Sequence, residues 1–187
     1  FRDKITVRNE DILAVDETTL FKEKFTVFGN LPYNISTEIL CKWILNIHKD
    51  NFWFEYLILM FQKEVADRII AKPGSKQYGR LSILTNWLTK TNKVFDIPNT
   101  AFFPAPKVKS SVVQLIPYKK PLFDVKFESV EKITQMAFSQ RRKMLKSSLK
   151  EINGKKILAD LSISPNLRPE DLSVLDFCRI AKMAFEN

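Results

Sequence analysis

Residues 54–61, Phe-Glu-Tyr-Leu-Ile-Leu-Met-Phe, constrain the fold of this chain more than any other stretch. The run is too short and too uniformly apolar for an amphipathic helix, and it reads as a strand buried on both faces, as in a parallel sheet. Helical patterns flank it. Ile39, Leu40, Trp43, Ile44 and Ile47 fall at helical spacing behind Ser36 or Thr37 as the cap, and a second helix follows near residues 63–71. Pro73, Gly74 and Ser75 make 72–79 a loop, after which Leu81, Leu84, Trp87 and Leu88 mark a further stripe. Residues 4–8, 25–28, 93–97 and 110–116 read as additional strands, the last two flanking a proline-rich loop at 98–108. Alternation of strand and helix predicts an α/β sheet packed on both faces.

Beyond Pro117 and Pro121 the pattern becomes wholly helical. Val130, Ile133, Thr134 and Ala137 form one stripe, and Leu145 and Leu149 begin another. Ser173 and Asp176 have capping-box spacing, with Leu172 and Phe177 at the staple positions before Ile180, Ala181, Ala184 and Phe185. The chain therefore divides into an α/β part, 1–118, and a small all-helical part, 119–187.

With 187 residues and 45% hydrophobic content, the chain suffices for one substantial core or a core with a small satellite. A formal charge of +9 favours a polyanionic partner, either nucleic acid or an anionic membrane surface. No run of 18 apolar residues and no signal peptide is visible, so neither membrane spanning nor secretion is suggested. Cys41 and Cys178 lie far apart without metal-ligand spacing, which predicts no disulfide framework, no zinc site and a reduced, cytoplasmic setting. His48, the sole histidine, sits near the polar end of a helical pattern and reads as a surface residue rather than a catalytic base.

The chemistry lies in Gly-Asn-Leu-Pro-Tyr-Asn-Ile-Ser at 29–36, after the apolar run 25–28. An adenine's exocyclic amine shares its lone pair with the ring and attacks a methyl donor poorly until hydrogen bonds hold it in an attacking geometry. The Asn30 side-chain oxygen and the Leu31 carbonyl can each accept one amine hydrogen, Pro32 fixes the backbone, and Tyr33 offers a ring on which the base stacks. On these four residues alone, an ordinary strand-to-helix turn with a buried tyrosine stays open as the alternative. Asp11, after a strand end, is placed to accept from a cofactor adenine's amine with Ile12 packed nearby, or else is a solvated turn acid.

Further stretches join these in a fixed order. They are Asn-Glu-Asp-Ile-Leu at 9–13, Gln-Lys-Glu-Val-Ala-Asp-Arg-Ile at 62–69, Tyr-Gly-Arg-Leu-Ser at 78–82, Phe-Phe-Pro-Ala-Pro-Lys-Val at 102–108 and Ala-Phe-Ser-Gln-Arg-Arg-Lys-Met-Leu-Lys at 137–146. On these motifs, over nearly its whole length, the chain resembles the ribosomal RNA adenine dimethyltransferases, to which the erythromycin-resistance methylases are similar. The resemblance implies an incomplete Rossmann-like sheet, S-adenosylmethionine as cofactor, and adenines of small-subunit rRNA, or of the immature small subunit, as substrate. It also implies that Asp11, Ile12 and Asn30 contact the cofactor and that Phe102 faces the target adenine opposite Tyr33, leaving Phe103 to pack. Ala105 departs from the proline or lysine frequent there, which leaves the ring assignment standing.

Phe1 is not an initiator methionine, and none of the four glycines, Gly29, Gly74, Gly79 and Gly154, forms Gly-x-Gly. The family carries its glycine-rich cofactor loop and ribose-gripping acid upstream of the segment matching Phe1. The polypeptide as given is therefore expected to bind S-adenosylmethionine poorly and to be inactive, although its parent is an enzyme. Family topology also sets 4–8 apart from 25–29 by two strands outside this sequence, so either these two strands pair anew or chains associate through the exposed sheet edge.

Arg141, Arg142, Lys143, Lys146 and Lys150 cluster without an acid between 139 and 150, and Arg80, Lys107 and Lys109 extend the patch, as suits RNA phosphates or a merely solvated face. Two rival functions share these features: an adenine methylase for large-subunit rRNA or DNA, and a non-catalytic nucleic-acid-binding factor on the same fold.

Overall fold

The computed structural model describes residues 4–20, 23–49 and 53–186. The apolar run forms β2 (Phe54–Gln62), which pairs in parallel with β1 (Phe25–Asn30). Its other edge pairs antiparallel with β4 (Ser110–Pro117), and β4 in turn pairs antiparallel with β3 (Thr89–Ile97). The order β1-β2-β4-β3 is thus a mixed sheet rather than a parallel one. Helix α1 (Ser36–His48) makes the crossover between the two parallel strands. After β2 come α2 (Lys63–Ile69), the loop at 72–79, and α3 (Arg80–Leu88), which runs straight into β3.

These three helices shape the core. Ile39, Leu40, Trp43, Ile44 and Ile47 of α1 are all buried, as their spacing requires. Leu57, Leu59 and Phe61 of β2 are fully buried with them, whereas Ile58 and Met60 on the opposite face are only half-buried. The expected burial of β2 on both faces is therefore corrected. Side chains alternate across a strand, and among the described residues the face bearing Phe28, Ile58 and Met60 carries no helical cover.

Residues 4–8 are not a strand. Residues 5–8 lack regular structure, with Ile5 and Val7 exposed, because no described strand lies alongside to take up their backbone groups. They do not pair with β1. Nor does Ser36 or Thr37 cap α1: Ile35 holds the cap position, and Ser36 Oγ donates to the Tyr33 carbonyl at 3.2 Å. The chain is already winding there, since the Ile35 N–H donates to the Pro32 carbonyl at 3.2 Å.

The C-terminal part comprises α4 (Phe127–Ser139), α5 (Leu145–Ser148), α6 (Gly154–Asp160) and α7 (Val174–Phe185). Val130, Ile133, Thr134 and Ala137 are buried on α4, and Leu145 and Leu149 at α5. Ser173 Oγ accepts from the Asp176 N–H at 3.1 Å while Asp176 Oδ2 accepts from the Ser173 N–H at 3.2 Å, the reciprocal box read from sequence, and Leu172 and Phe177 are buried beside it. Helices α4 and α7 pack on α3, so this part shares one hydrophobic core with the sheet half. Trp87 Nε1 donates to the Phe123 carbonyl at 3.0 Å and its ring stacks on Phe127. His48 is no simple surface residue: it is half-buried, bonded to the Val125 carbonyl at 2.9 Å, with its ring 5.1 Å from Trp87. It fastens α1 to the segment leading into α4.

Candidate active site

Strand β1 delivers Asn30 to its carboxyl end, opposite Met60. Just before it, a Cβ at Gly29 would stand 2.6 Å from Leu59 Cδ2, so a larger residue there would have to displace that buried side chain. Asn30 is exposed, with no side-chain hydrogen bond among the described residues, and borders a concavity of about 550 Å³ with Phe28, Ile58 and Met60. Its amide oxygen is therefore available to a ligand. Leu31 is half-buried and Pro32 exposed. Tyr33 is half-buried rather than sealed in the core, and its hydroxyl shares a 2.6 Å hydrogen bond with Ser110 Oγ at the start of β4.

The 98–109 connection carries a short helical turn at Asn99–Ala101 and then extends. Phe102, at φ −119° and ψ 150°, is half-buried, while Phe103 is fully exposed at 103%. The expectation that Phe103 packs is thus reversed: of the two adjacent rings, Phe102 is the one turned inward. The loop's far end is anchored where the Lys63 N–H donates to the Lys109 carbonyl at 2.9 Å.

Asp11 opens a tight turn. Its Oδ1 accepts from the Leu13 N–H at 3.0 Å and its carbonyl from the Ala14 and Val15 N–H groups, while the carboxylate stays exposed. Ile12 is half-buried beside it. Lys42 on α1 holds this turn: its ammonium donates to the Ile12 carbonyl at 2.9 Å, to the Val15 carbonyl, and to Glu17 Oε1 at 2.9 Å. Glu17 is buried and also accepts from Trp43 Nε1 at 2.7 Å. The three ammonium donors of Lys42 each meet an acceptor, and Glu17 Oε1 takes two donors, whereas Glu17 Oε2 is buried without a hydrogen-bond partner among the described residues. Neither Lys42, Glu17 nor Ser110 was signalled by local sequence pattern, because each acts only through a partner distant in the chain.

The basic residues fall into two groups. Arg80, 3.8 Å from Glu131, and Arg141, which donates to the Lys76 carbonyl at 2.7 Å and lies 3.8 Å from Glu170, line one cleft of about 590 Å³. Arg68 and Lys76 line it too, and sequence reading did not single them out. Lys146 donates to Asn166 at 2.9 Å. Lys107, Lys109, Arg142, Lys143 and Lys150 are exposed without an ion pair among the described residues.

The sheet thus presents an unengaged amide at the end of β1 and a braced tyrosine just beyond it. The family model for ribosomal RNA adenine dimethylase matches residues 1–186, and the chain belongs to that family. It is 49% identical over 185 residues to the ribosomal RNA small subunit methyltransferase A of Pelagibacter ubique, covering 97% of this chain and 70% of the relative. The protein of that name from Sinorhizobium medicae is 44% identical, covering 97% of this chain and 65% of the relative. The chain thus spans about two thirds of the length of such curated relatives. A crystal structure of a dimethyladenosine transferase from Plasmodium falciparum superposes with a TM-score of 0.73 at 25% identity, over 87% of this chain and 67% of that one. The 23S rRNA methyltransferase ErmE, at 21% identity and a TM-score of 0.64 over 95% of this chain and 70% of that one, is a likeness of fold.

Proposed function

We propose that the protein to which this chain belongs dimethylates the N6 amines of adenosines in small-subunit ribosomal RNA, during ribosome assembly in the cytoplasm, with S-adenosylmethionine as donor. The observation that carries this reading is the exposed Asn30 amide without a side-chain partner, three residues before a tyrosine whose hydroxyl is pinned. The target adenine leaves its RNA stack and lies against Tyr33, with Phe102 as the facing wall. Asn30 Oδ1 and the Leu31 carbonyl accept the two amine hydrogens, which directs the nitrogen lone pair out of the ring plane, and Pro32 limits the backbone's freedom to move away. The cofactor supplies an electrophilic methyl group on a sulfonium centre with a good leaving group. The chain's residues fit that partner: Asp11 keeps an exposed carboxylate for an adenine amine, Ile12 offers an apolar edge, and Lys42 fixes the turn bearing both. The amine sheds its proton after transfer, so no histidine base is needed, and a second round gives dimethyladenosine.

Arg80, Lys107, Lys109, Arg141, Arg142, Lys143, Lys146 and Lys150 serve RNA phosphates, with the helical residues 119–187 choosing the substrate. The chain is read as self-associating through its open sheet edge. The test is Asn30→Ala in a protein of the relatives' full length, assayed on undermethylated small subunits. Methyl transfer is expected to fall at least a hundredfold while RNA binding is retained, and wild-type transfer would refute the assignment. Loss of binding along with transfer would favour a purely RNA-holding role for this turn.

A further inference from the structure

Strand β4 begins with two serines, both fully buried. A buried hydroxyl is costly without a partner, and apolar β-branched residues suit such strand positions better. Each serine does have a partner, but of different reach. Ser111 Oγ donates to Asp96 Oδ1 at 2.6 Å, a bond to the residue directly opposite on β3. Ser110 instead leaves the sheet and meets the Tyr33 hydroxyl at 2.6 Å, 77 residues away. Its backbone is held on both sides, opposite Gln62 of β2 and Ile97 of β3, so the hydroxyl is mounted on one of the two central strands.

We propose that Ser110 is a positioning residue for methyl transfer: its hydroxyl anchors the far end of the Tyr33 ring, limiting its swing about χ1, so that the stacking surface is in place before the adenine arrives. This rests on the reading of Tyr33 as the base-stacking residue. A tyrosine held at only one end of its ring system samples several orientations, and each has to be narrowed to one when the base stacks. The bond to Ser110 removes that freedom in advance. Ser110 touches neither base nor cofactor, so its effect runs through Tyr33 alone. Because both partners are hydroxyls, removing either oxygen abolishes the same bond, which makes their effects non-additive.

The experiment measures single-turnover methyl transfer to undermethylated small subunits, alongside S-adenosylmethionine binding and thermal unfolding, in a protein of the relatives' full length. Ser110→Ala is expected to slow transfer roughly five- to tenfold, the scale of one hydrogen bond, with cofactor binding unchanged. Tyr33→Phe should show the same deficit, and the double variant should be no slower than either single one. Ser110→Thr, which keeps the hydroxyl, should restore transfer. Ser111→Ala removes an equally buried hydroxyl from the same strand and should leave the transfer rate near wild type. Multiplying effects of Ser110→Ala and Tyr33→Phe, or an equal loss of rate in Ser111→Ala, would overturn the proposal in favour of a general packing role. Tyr33→Ala separates the two levels. If it is crippled while Ser110→Ala and Tyr33→Phe are normal, only the proposal about Ser110 fails; if it is itself normal, the stacking role of Tyr33 fails first.

Discussion

The two faces of the sheet are made by the same four strands from similarly apolar residues, yet they meet opposite fates. On one, Leu57, Leu59, Phe61, Val113 and Leu115 are sealed under the helices. On the other, Phe28 is 75% exposed and Val94 and Phe95 are about half exposed, with Ile58 and Met60 partly covered only by their neighbours. Burial is thus decided by what packs against a residue, not by its hydrophobicity. The open face is also where the candidate site begins, because residues 28 and 30 share a side of β1 and Asn30 continues the row started by Phe28.

The sharpest way to break this contrast is to truncate neighbours on one strand. Leu59→Ala removes a fully buried side chain from the covered face and should cost about 3 kcal/mol, the middle of the range for core leucines. Ile58→Ala, one residue away on the open face, should cost less, about 1 kcal/mol, since its side chain is only partly buried and its removal leaves no enclosed cavity. Urea unfolding of both variants checks the pair. Equal losses would mean that both faces are covered in solution.

A second measurement sharpens the contrast through titration, because the buried Cys178 thiol and Tyr78 phenol and the half-buried Cys41 belong to the covered layers. Burial pushes the Cys178 thiol up to about 12 and raises Cys41, and it drives the Tyr78 hydroxyl well above its ordinary 10. Below pH 9 the Cys178 thiol is protonated in folded and unfolded chains alike. Between 9 and about 12 only the unfolded chain ionises, so stability falls as pH rises. By pH 10 this one group should cost about 1 kcal/mol, seen in urea unfolding at pH 8 and 10 as a difference that shrinks by that amount in Cys178→Ala. An unchanged difference would show that Cys178 is ionisable in the folded chain.

Where a segment's own residues determine its structure, the sequence was readable. The Ser173–Asp176 box, the stripe from Ile39 to Ile47 and the proline-rich connection are all satisfied within a few residues, and they appear as expected. The failures share one cause. Residues 4–8 have strand character but no strand beside them, the Phe54–Phe61 run does not reveal that helices cover only one side, and His48 finds its partner at Val125. The site divides likewise. Asn30 and Tyr33 lie within one turn and were legible as a unit, whereas the brace at Ser110 and the clamp of Lys42 on Glu17 join residues far apart in sequence. Phe103 was misjudged because the pair of adjacent rings does not tell which of the two turns inward.

The smallest expected effect on stability is also the most direct probe of the open face. Replacing Phe28 and Phe95 together by lysine puts two charges where the structure has two exposed rings. If that face is open within each chain, neither ring contributes much to folding, and the unfolding free energy should stay within about 0.5 kcal/mol of wild type, as for surface substitutions generally. Association is a separate matter. Chains that meet through this face or the adjoining β1 edge would have to bury the new ammonium groups, so the double variant should sediment as a monomer at concentrations where the parent chain does not. A loss of several kcal/mol in the variant would instead mean that Phe28 and Phe95 are covered within the folded chain itself. Unaltered association with unaltered stability would move the contact to another surface, leaving the bare row beside Asn30 without a role in self-recognition.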